Sequence, residues 1–287
     1  MKILFDIGGS KIRISSTEDG EKFSEPIIHD TPVSVEEGAE LFCETALAIA
    51  DGEKIEGMWG GITGVWDKKM EGLVYSPNMS GWVDKPIRRI FEDKLSAPLV
   101  VGNDSDVVGL GEVHYGAGVG SEICSYITIS TGVGGARIVD GLIDRATVGF
   151  EPGHHIINHS LINKEKALAY KLDVTPASTF EDHVSGTALN KTTGMDPRDV
   201  VDAEIWERLA FESAIGVFNS ILFWSPDTVV IGGSMVVGDP AIPIDRIRHH
   251  VEKFANFLPH IPEIKKAELG AIGGIYGALV LSKQFPV

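Results

Sequence analysis

The sequence predicts an α/β protein built from two related lobes, and three observations carry that prediction. From Lys2 to Gly102, apolar strands and helical periodicities follow the order β, β, α, β, α, β, which indicates a mixed sheet. A strand, glycine turn, strand hairpin near the N-terminus is echoed about 120 positions later, suggesting two lobes that face one another across a ligand. Three glycine turns directly follow apolar strands, where open α/β sheets place ligands.

Each element has its own local reason. Residues 2 to 7 and 11 to 17 read as strands joined at Gly8-Gly9, a short-turn hairpin. Apolar positions Val35, Ala39, Phe42, Ala46 and Ile49 recur near helical spacing, so a helix is expected from Val35 to Asp51. Ile55 to Ile62 reads as a buried strand, Pro86 to Lys94 as a helix with proline near its first turn, and Leu99 to Gly102 as a strand ended by Asn103-Asp104. In the second half, Tyr126 to Ser130 is expected as a strand, Thr131 to Gly135 as a turn, and Ala136 to Val139 as the returning strand. A long amphipathic helix over Ala203 to Trp224, a strand over Thr228 to Ile231 and a final helix over Ile272 to Lys283 complete the chain. Gly273, Gly274, Gly277 and Ala278 lower the last helix's intrinsic propensity, yet let it lie close to a neighbour. The domain boundaries expected are 1–115 for the first lobe, with the helix over about 272–287 packing back on it, and 116–271 for the second.

Composition narrows the function. With 287 residues, 43% hydrophobic and 23% charged, the chain can bury two cores without staples. Cys43 and Cys124 stand far apart in no metal-like spacing, which fits small core residues in a reducing cytoplasm. A formal charge of -16 argues against nucleic acid as a partner, because phosphate backbones are held by clustered Lys and Arg. It does not argue against a nucleotide, which backbone N–H groups and a cation can hold. No leader-like segment or membrane-length apolar run is present, so a cytoplasmic location is expected.

The glycine turns are Gly8-Gly9-Ser10, Gly132-Val133-Gly134-Gly135 and Gly232-Gly233-Ser234. None has Walker or GxGxxG spacing; as a set of three they point to phosphate or nucleotide contact. Asp6, before the first turn, has two readings: it holds hydrated Mg²⁺ against a polyphosphate, or it accepts from the turn's own N–H groups. Asp104 also has two: a base that takes the proton of an attacking hydroxyl, or part of an Asx turn that caps the next helix. Glu151-Pro152-Gly153-His154-His155 and, further on, Glu181 supply the carboxylates and imidazole that suit vicinal hydroxyls. A metal reading of His154, His155 and His159 competes, without cysteine or HExxH support. Trp59, Trp66 and Trp82 either stack on a sugar face or pack.

These motifs, taken in order, resemble the ROK family of sugar kinases and sugar-responsive repressors. The resemblance rests on Asp6-Ile7-Gly8-Gly9-Ser10-Lys11, Pro77-Asn78 with Gly81-Trp82, Gly102-Asn103-Asp104, Thr131 to Gly135, Glu151 to His154, Glu181 with Ser185 to Leu189, and Pro226 with Val230 to Gly233. It implies a two-lobed actin-like ATPase fold, also called ribonuclease H-like, with ATP and a hexose or N-acylhexosamine in the interlobe cleft. It also implies that Asp6, Gly8, Gly9, Ser10, Lys11, Thr131, Gly132, Gly134 and Gly233 lie on the ATP side, with Mg²⁺ at Asp6. Asp104 corresponds to the catalytic base, and Asn103, Glu151, His154 and Glu181 to sugar ligands, with Gly64 and Asn78 lining the same pocket. A homodimer is expected on the same ground.

One departure stands out. The family commonly carries a cysteine-rich CxCGxxGCxE segment that holds a structural zinc with the GH histidine, and residues 161 to 181 contain no cysteine. No structural zinc is therefore expected, and His154 lacks a metal to fix its ring. Two functions outside kinase chemistry compete with it. A DNA-binding repressor is not expected, since only five residues precede Asp6 and the chain is acidic. A catalytically silent sugar-binding protein on the same fold is the remaining alternative.

Overall fold

A computed structural model describes residues 1–147, 149–158 and 179–287. The chain divides into two compact units: Met1–Val119 with Gly141–Gly149 and Ala271–Val287, and Gly120–Asp140 with Phe150–Gly270.

The first unit is organised around strand β1 (Lys2–Ile7), which pairs antiparallel with β2 (Lys11–Thr17) and parallel with β4 (Gly57–Ile62). β3 (Ile27–Asp30) extends the sheet beyond β2 and β7 (Leu99–Asn103) beyond β4, giving the order β3-β2-β1-β4-β7. β5 (Val65–Trp66) and β6 (Leu73–Tyr75) form a separate two-stranded ribbon. Side chains alternate across β1. Ile3, Phe5 and Ile7 join one core with Phe42 and Ala46 of α1 (Val35–Ala50) and Phe91 of α2 (Ile87–Leu95). On the other face Asp6 meets the C-terminal helix. Burying five large side chains such as Phe5, Phe42, Phe91, Trp59 and Trp82 at about 1.5–3 kcal/mol each supplies much of this unit's drive to fold. Trp59, Trp66 and Trp82 are all buried, which settles their role as packing. Trp59 donates to Phe285 O and Trp82 to Pro32 O.

The final helix packs against α3 (Asp104–Tyr115) as the glycine-rich sequence anticipates. A Cβ on Gly277 would run into the Val107 carbonyl, and one on Gly111 would lie 2.5 Å from Gly273 O. Segment 141–149, with its short strand β10 (Leu142–Ile143), belongs to this unit rather than to the second as the sequence boundaries had it. The reason is local: His114 and Gln284 both donate to Gly141 O at 2.9 Å.

In the second unit β8 (Ile123–Ile129) pairs antiparallel with β9 (Val133–Val139) and parallel with β11 (Thr228–Gly232), which pairs parallel with β12 (Glu263–Lys266). Short helices α4 (Phe180–Val184) and α5 (Gly186–Thr193) precede the long α6 (Ala203–Trp224), and α7 (Ser234–Val237) and α8 (Ile244–Phe254) follow β11. Ile127, Ile129, Val229 and Ile231 of the sheet pack with Leu209, Ala214 and Val217 of α6 and with Ile247 and Val251 of α8. Asp202 caps α6 by accepting from Glu204 N. The C-terminal helix, α9 (Gly273–Gln284), returns the chain to the first unit.

Two boundaries differ from the sequence reading. The fourth strand begins at Gly57, not Ile55, because strand pairing with β1 starts at Lys2 opposite Gly57. The stretch Thr131 to Gly135 is not all turn: Val133, Gly134 and Gly135 already pair with Ile129, Thr128 and Ile127. Glycine content alone cannot distinguish a turn from a strand that glycine merely tolerates.

Candidate active site

Each unit carries a set of polar groups at strand ends. In the first, β7 ends at Asn103 and α3 starts at Asp104. Asn103 caps α3, its Oδ1 accepting from Ser105 N at 2.8 Å, while its Nδ2 donates to Gly64 O at 2.9 Å. The capping reading of this dipeptide is therefore realised at Asn103. Asp104 Oδ1 accepts from Ser105 N at 2.9 Å, and Oδ2 accepts a short hydrogen bond from the Thr63 hydroxyl. Burial pushes the Asp104 carboxyl above the ordinary carboxylate range, against the lowering effect of those donors. The start of α3 lies close to β4, where a Cβ on Gly61 would sit 2.9 Å from Asp104 Cα. Gly64 has φ of +131°, and a Cβ there would meet Tyr75 O at 2.9 Å, so the loop after β4 requires glycine.

Asp6 sits within β1, not at its end, directly across from Arg13 of β2. Arg13 Nη1 lies 3.3 Å from Asp6 Oδ2, with side-chain exposures of 19% and 13%. Burial raises the Asp6 carboxyl from 3.8 to about 6; Arg13 opposes the rise and the charge of Asp104 adds to it. Asp6 and Asp104 thus share one electrostatic neighbourhood. A Cβ on Gly274 would fall 2.6 Å from Asp6 Cγ, so the first turn of α9 closes over this acid.

The first glycine turn is partly self-satisfied. Gly8 N donates to Lys11 O at 2.9 Å, Thr31 Oγ1 to Gly8 O at 2.7 Å, and Thr31 N to Ser10 O at 3.1 Å. The Gly8 N–H expected to meet phosphate closes the hairpin instead. A Cβ on Gly9 would stand 2.7 Å from Asn78 Cβ, so this turn and the exposed Asn78 are neighbours. Lys11 points to the surface and pairs with Asp30 at 2.6 Å.

In the second unit the turn at Ser130, Thr131 and Gly132 has its carbonyls withdrawn. Gly186 N donates to Ser130 O at 2.7 Å, Thr187 Oγ1 to Thr131 O at 2.8 Å, and Ser130 N to Gly132 O at 2.8 Å. All three carbonyls of the turn are therefore occupied within the protein. Glu181, from the first turn of α4, accepts from Val133 N at 2.7 Å, and its Oε2 lies 2.5 Å from where a Gly132 Cβ would be. It is therefore bound to the glycine turn itself. Gly233, with φ of +85°, follows β11 so close to β8 that a Cβ would strike Ile129 O, and Ser234 and Ser130 hydroxyls lie 3.0 Å apart beside it. Gly134 is a strand residue paired with Thr128.

Glu151 and His154 bracket a single turn, Pro152–His154, that lies against β9. His154 Nε2 is 3.9 Å from Glu151 Oε2, and half of the His154 side chain is exposed. His155 turns inward and stacks on Phe180, and burial lowers its pKa. His159 and the segment 161–178, on which the zinc comparison turns, lie outside the described residues. Among the described residues no three metal-ligating side chains converge.

Sequence reasoning missed Arg13, Thr63 and Thr31, and gave Thr187 no role of its own within the Ser185 to Leu189 motif. Arg13 was recoverable from hairpin register, since pairing Ile7 with Ile12 places residue 13 opposite Asp6. Thr63 carried no local signal.

Residues 3–285 match the family described as "ROK family". The glucokinase of Thermotoga maritima is 28% identical over 264 residues, covering 80% of each chain. The solved ROK hexokinase of Thermus thermophilus superposes with a TM-score of 0.79 at 27% identity, over 97% of this chain and 96% of that one. The ROK glucokinase of Streptomyces griseus, solved with glucose and AMPPNP, gives a TM-score of 0.79 at 23% identity over 99% of both. The fold is that of these sugar kinases, the actin-like ATPase fold.

Proposed function

Because the chain belongs to the ROK family, we propose that it is an ATP-dependent sugar kinase, transferring the γ-phosphoryl group to a hydroxyl of a hexose or N-acylhexosamine. The observation that carries this reading is Asp104: a carboxylate at the carboxyl end of a parallel strand, held by two donors and made more basic by burial. In the proposed reaction the sugar hydroxyl loses its proton to Asp104, its oxygen bonds to the γ-phosphorus, and the bond from that phosphorus to the β,γ-bridging oxygen breaks to release ADP. Asn103, Gly64 and Asn78 of the first unit, and Glu151, His154 and Glu181 of the second, are the groups assigned to sugar hydroxyls.

Phosphate oxygens are assigned to N–H donors of the Thr131-Gly132 turn, with Gly9, Ser10, Lys11 and Gly233 on the nucleotide side. Mg²⁺, a hard cation that takes oxygen ligands, would offset phosphate charge; the partly buried Asp6 carboxylate suits it chemically, although Arg13 already shares that carboxylate's charge. A cytoplasmic homodimer belongs to the same reading; among the described residues no helix is long and apolar enough to cross a membrane.

The test is a coupled ADP-release assay against glucose, fructose, mannose, N-acetylglucosamine, N-acetylmannosamine and allose, run on wild type and Asp104→Asn. Turnover with at least one sugar is expected, abolished in the variant while sugar binding by calorimetry persists. Near-normal turnover in Asp104→Asn would remove the assignment of the base. Sugar binding without any ADP release would favour a silent sugar-binding protein.

A further inference from the structure

The loop that follows β4 does more than line the space beside Asp104. An aspartate's terminal torsion is broad, so rotamer preference leaves the plane of the Asp104 carboxylate unset. Two donors set it: Ser105 N on Oδ1 at 2.9 Å, and the Thr63 hydroxyl on Oδ2. The first comes with any helix N-terminus. The second depends on a side chain forty-one positions away and on the loop that aims it.

That loop is anchored independently of the hydroxyl. Thr63 N donates to Ile7 O at 2.9 Å, tying it to the end of β1, and Thr63 O accepts from Ser76 Oγ at 3.4 Å. The next carbonyl, Gly64 O, accepts from Asn103 Nδ2 at 2.9 Å. Two consecutive loop residues therefore grip two consecutive residues at the start of α3. A β-branched side chain on such a loop has little χ1 freedom, so the hydroxyl's direction is fixed with the backbone.

We propose that Thr63 is a positioning residue for Asp104, orienting its carboxylate toward the acceptor hydroxyl and staying hydrogen-bonded to it in both protonation states. The inference rests on the kinase reading above. A hydroxyl suits this task where an N–H does not. It donates to the carboxylate before proton transfer, and by rotating about its C–O bond it accepts from the carboxylic acid afterwards. The proton itself moves only from the sugar hydroxyl to Asp104. Thr63 keeps its own proton, and its contribution is to hold the base in the geometry that transfer needs. Valine keeps the shape and loses both capacities, leaving Oδ2 without its partner; serine keeps them on a looser side chain.

The experiment compares Thr63→Val, Thr63→Ser, Thr63→Ala and Asp104→Asn in the full chain. It measures kcat and KM with the best sugar of the panel, with thermal melts to report folding. The expected result is a fall in kcat of roughly 10- to 100-fold in Thr63→Val, the size of one lost hydrogen bond to a charged group. Sugar KM should move less than about threefold, and Thr63→Ser should recover most of kcat. If Thr63→Val does not fold, the contrast between Thr63→Ala and Thr63→Ser carries the test, since the ties to Ile7 and Ser76 are backbone contacts that alanine keeps. Wild-type kcat in Thr63→Val, or a serine variant as impaired as the valine or alanine one, would overturn the inference while an inactive Asp104→Asn leaves the kinase reading standing. An active Asp104→Asn would overturn the inference together with the assignment of Asp104 as the base, whereas the kinase reading itself falls only if wild type releases no ADP with any sugar of the panel.

Discussion

Replacing Asp6 by asparagine tests the electrostatics of the first unit while nearly preserving side-chain shape. Burial raises the Asp6 carboxyl from 3.8 to about 6, even with Arg13 lowering it. At 1.36 kcal/mol per pH unit, the ionised form is disfavoured in the folded chain by about 3 kcal/mol. The side chain is 13% exposed, so this figure is a ceiling trimmed only slightly by solvent. The sign follows from where the proton sits. Below the unfolded value near 4 the acid is protonated in both states and Asp6 has no effect. Between there and about 6 the unfolded chain releases its proton while the folded chain keeps it, so this group subtracts stability as pH rises, and above 6 the whole penalty is present. Asparagine resembles the neutral acid at every pH. Asp6→Asn is therefore expected to match wild type near pH 4 and to exceed it at pH 8, the gap growing by about 2 kcal/mol. Urea midpoints of both proteins at pH 4, 5, 6, 7 and 8 provide the measurement, and the difference cancels every other titrating group to first order. A gap that stays constant with pH, or that favours wild type more as pH rises, would refute the reasoning. On the proposed place of Asp6 beside the phosphates, the same variant should also lose catalytic activity.

Two further substitutions probe packing and the second unit. Gly277→Val would drive a side chain into the Val107 carbonyl and should cost at least 1–3 kcal/mol of stability by thermal unfolding; a variant that melts with wild type would contradict the close approach of α9 to α3. Glu181→Ala removes the acceptor from Val133 N and should destabilise the second unit by about 1–3 kcal/mol. Glu181→Gln supplies an oxygen acceptor again and should restore the melting temperature while sugar KM stays raised; restored KM would show that the carboxylate's charge is irrelevant to the sugar.

Periodicity made much of this fold legible. β1, β2, α1 and α6 have strong two-fold or 3.6-fold patterns and nearby caps, so their extents follow from short stretches of chain. Asn103 and Asp104 were visible as polar residues at the end of an apolar strand. Thr63 could not be found this way, because its importance comes from a hydroxyl that reaches a residue forty-one positions away, and no local pattern records that distance. Arg13 lies between these cases. Its place opposite Asp6 follows from the hairpin's register, but the acid invites comparison with the adjacent turn, so the cross-strand partner is easily passed over. Glu181 shows the same difficulty in the second unit: its bond to Val133 N depends on where α4 docks, which no local pattern specifies across a separation of 48 positions.

The glycines show why the same positions can be marked for a reason that is only part of the physics. Their sequence reading is that bare backbone lets an anion approach N–H groups. In the structure, several of them let the protein approach itself. Gly61 admits the start of α3, Gly132 makes room for the Glu181 carboxylate, and Gly233 lets β11 turn against the end of β8. Gly8 spends its N–H on Lys11 O. A bare backbone cannot serve a neighbouring chain segment and a phosphate with the same atom, so the donors left for a ligand are those whose turn has its carbonyls tied elsewhere. The Ser130 to Gly132 turn meets that condition, with Gly186 and Thr187 holding its carbonyls. Removing the Thr187 hydroxyl, as in Thr187→Val, should therefore loosen the turn and weaken nucleotide binding more than sugar binding, measured by separate titrations. Equal losses for both ligands would place the turn's role in the fold of the unit rather than in phosphate contact.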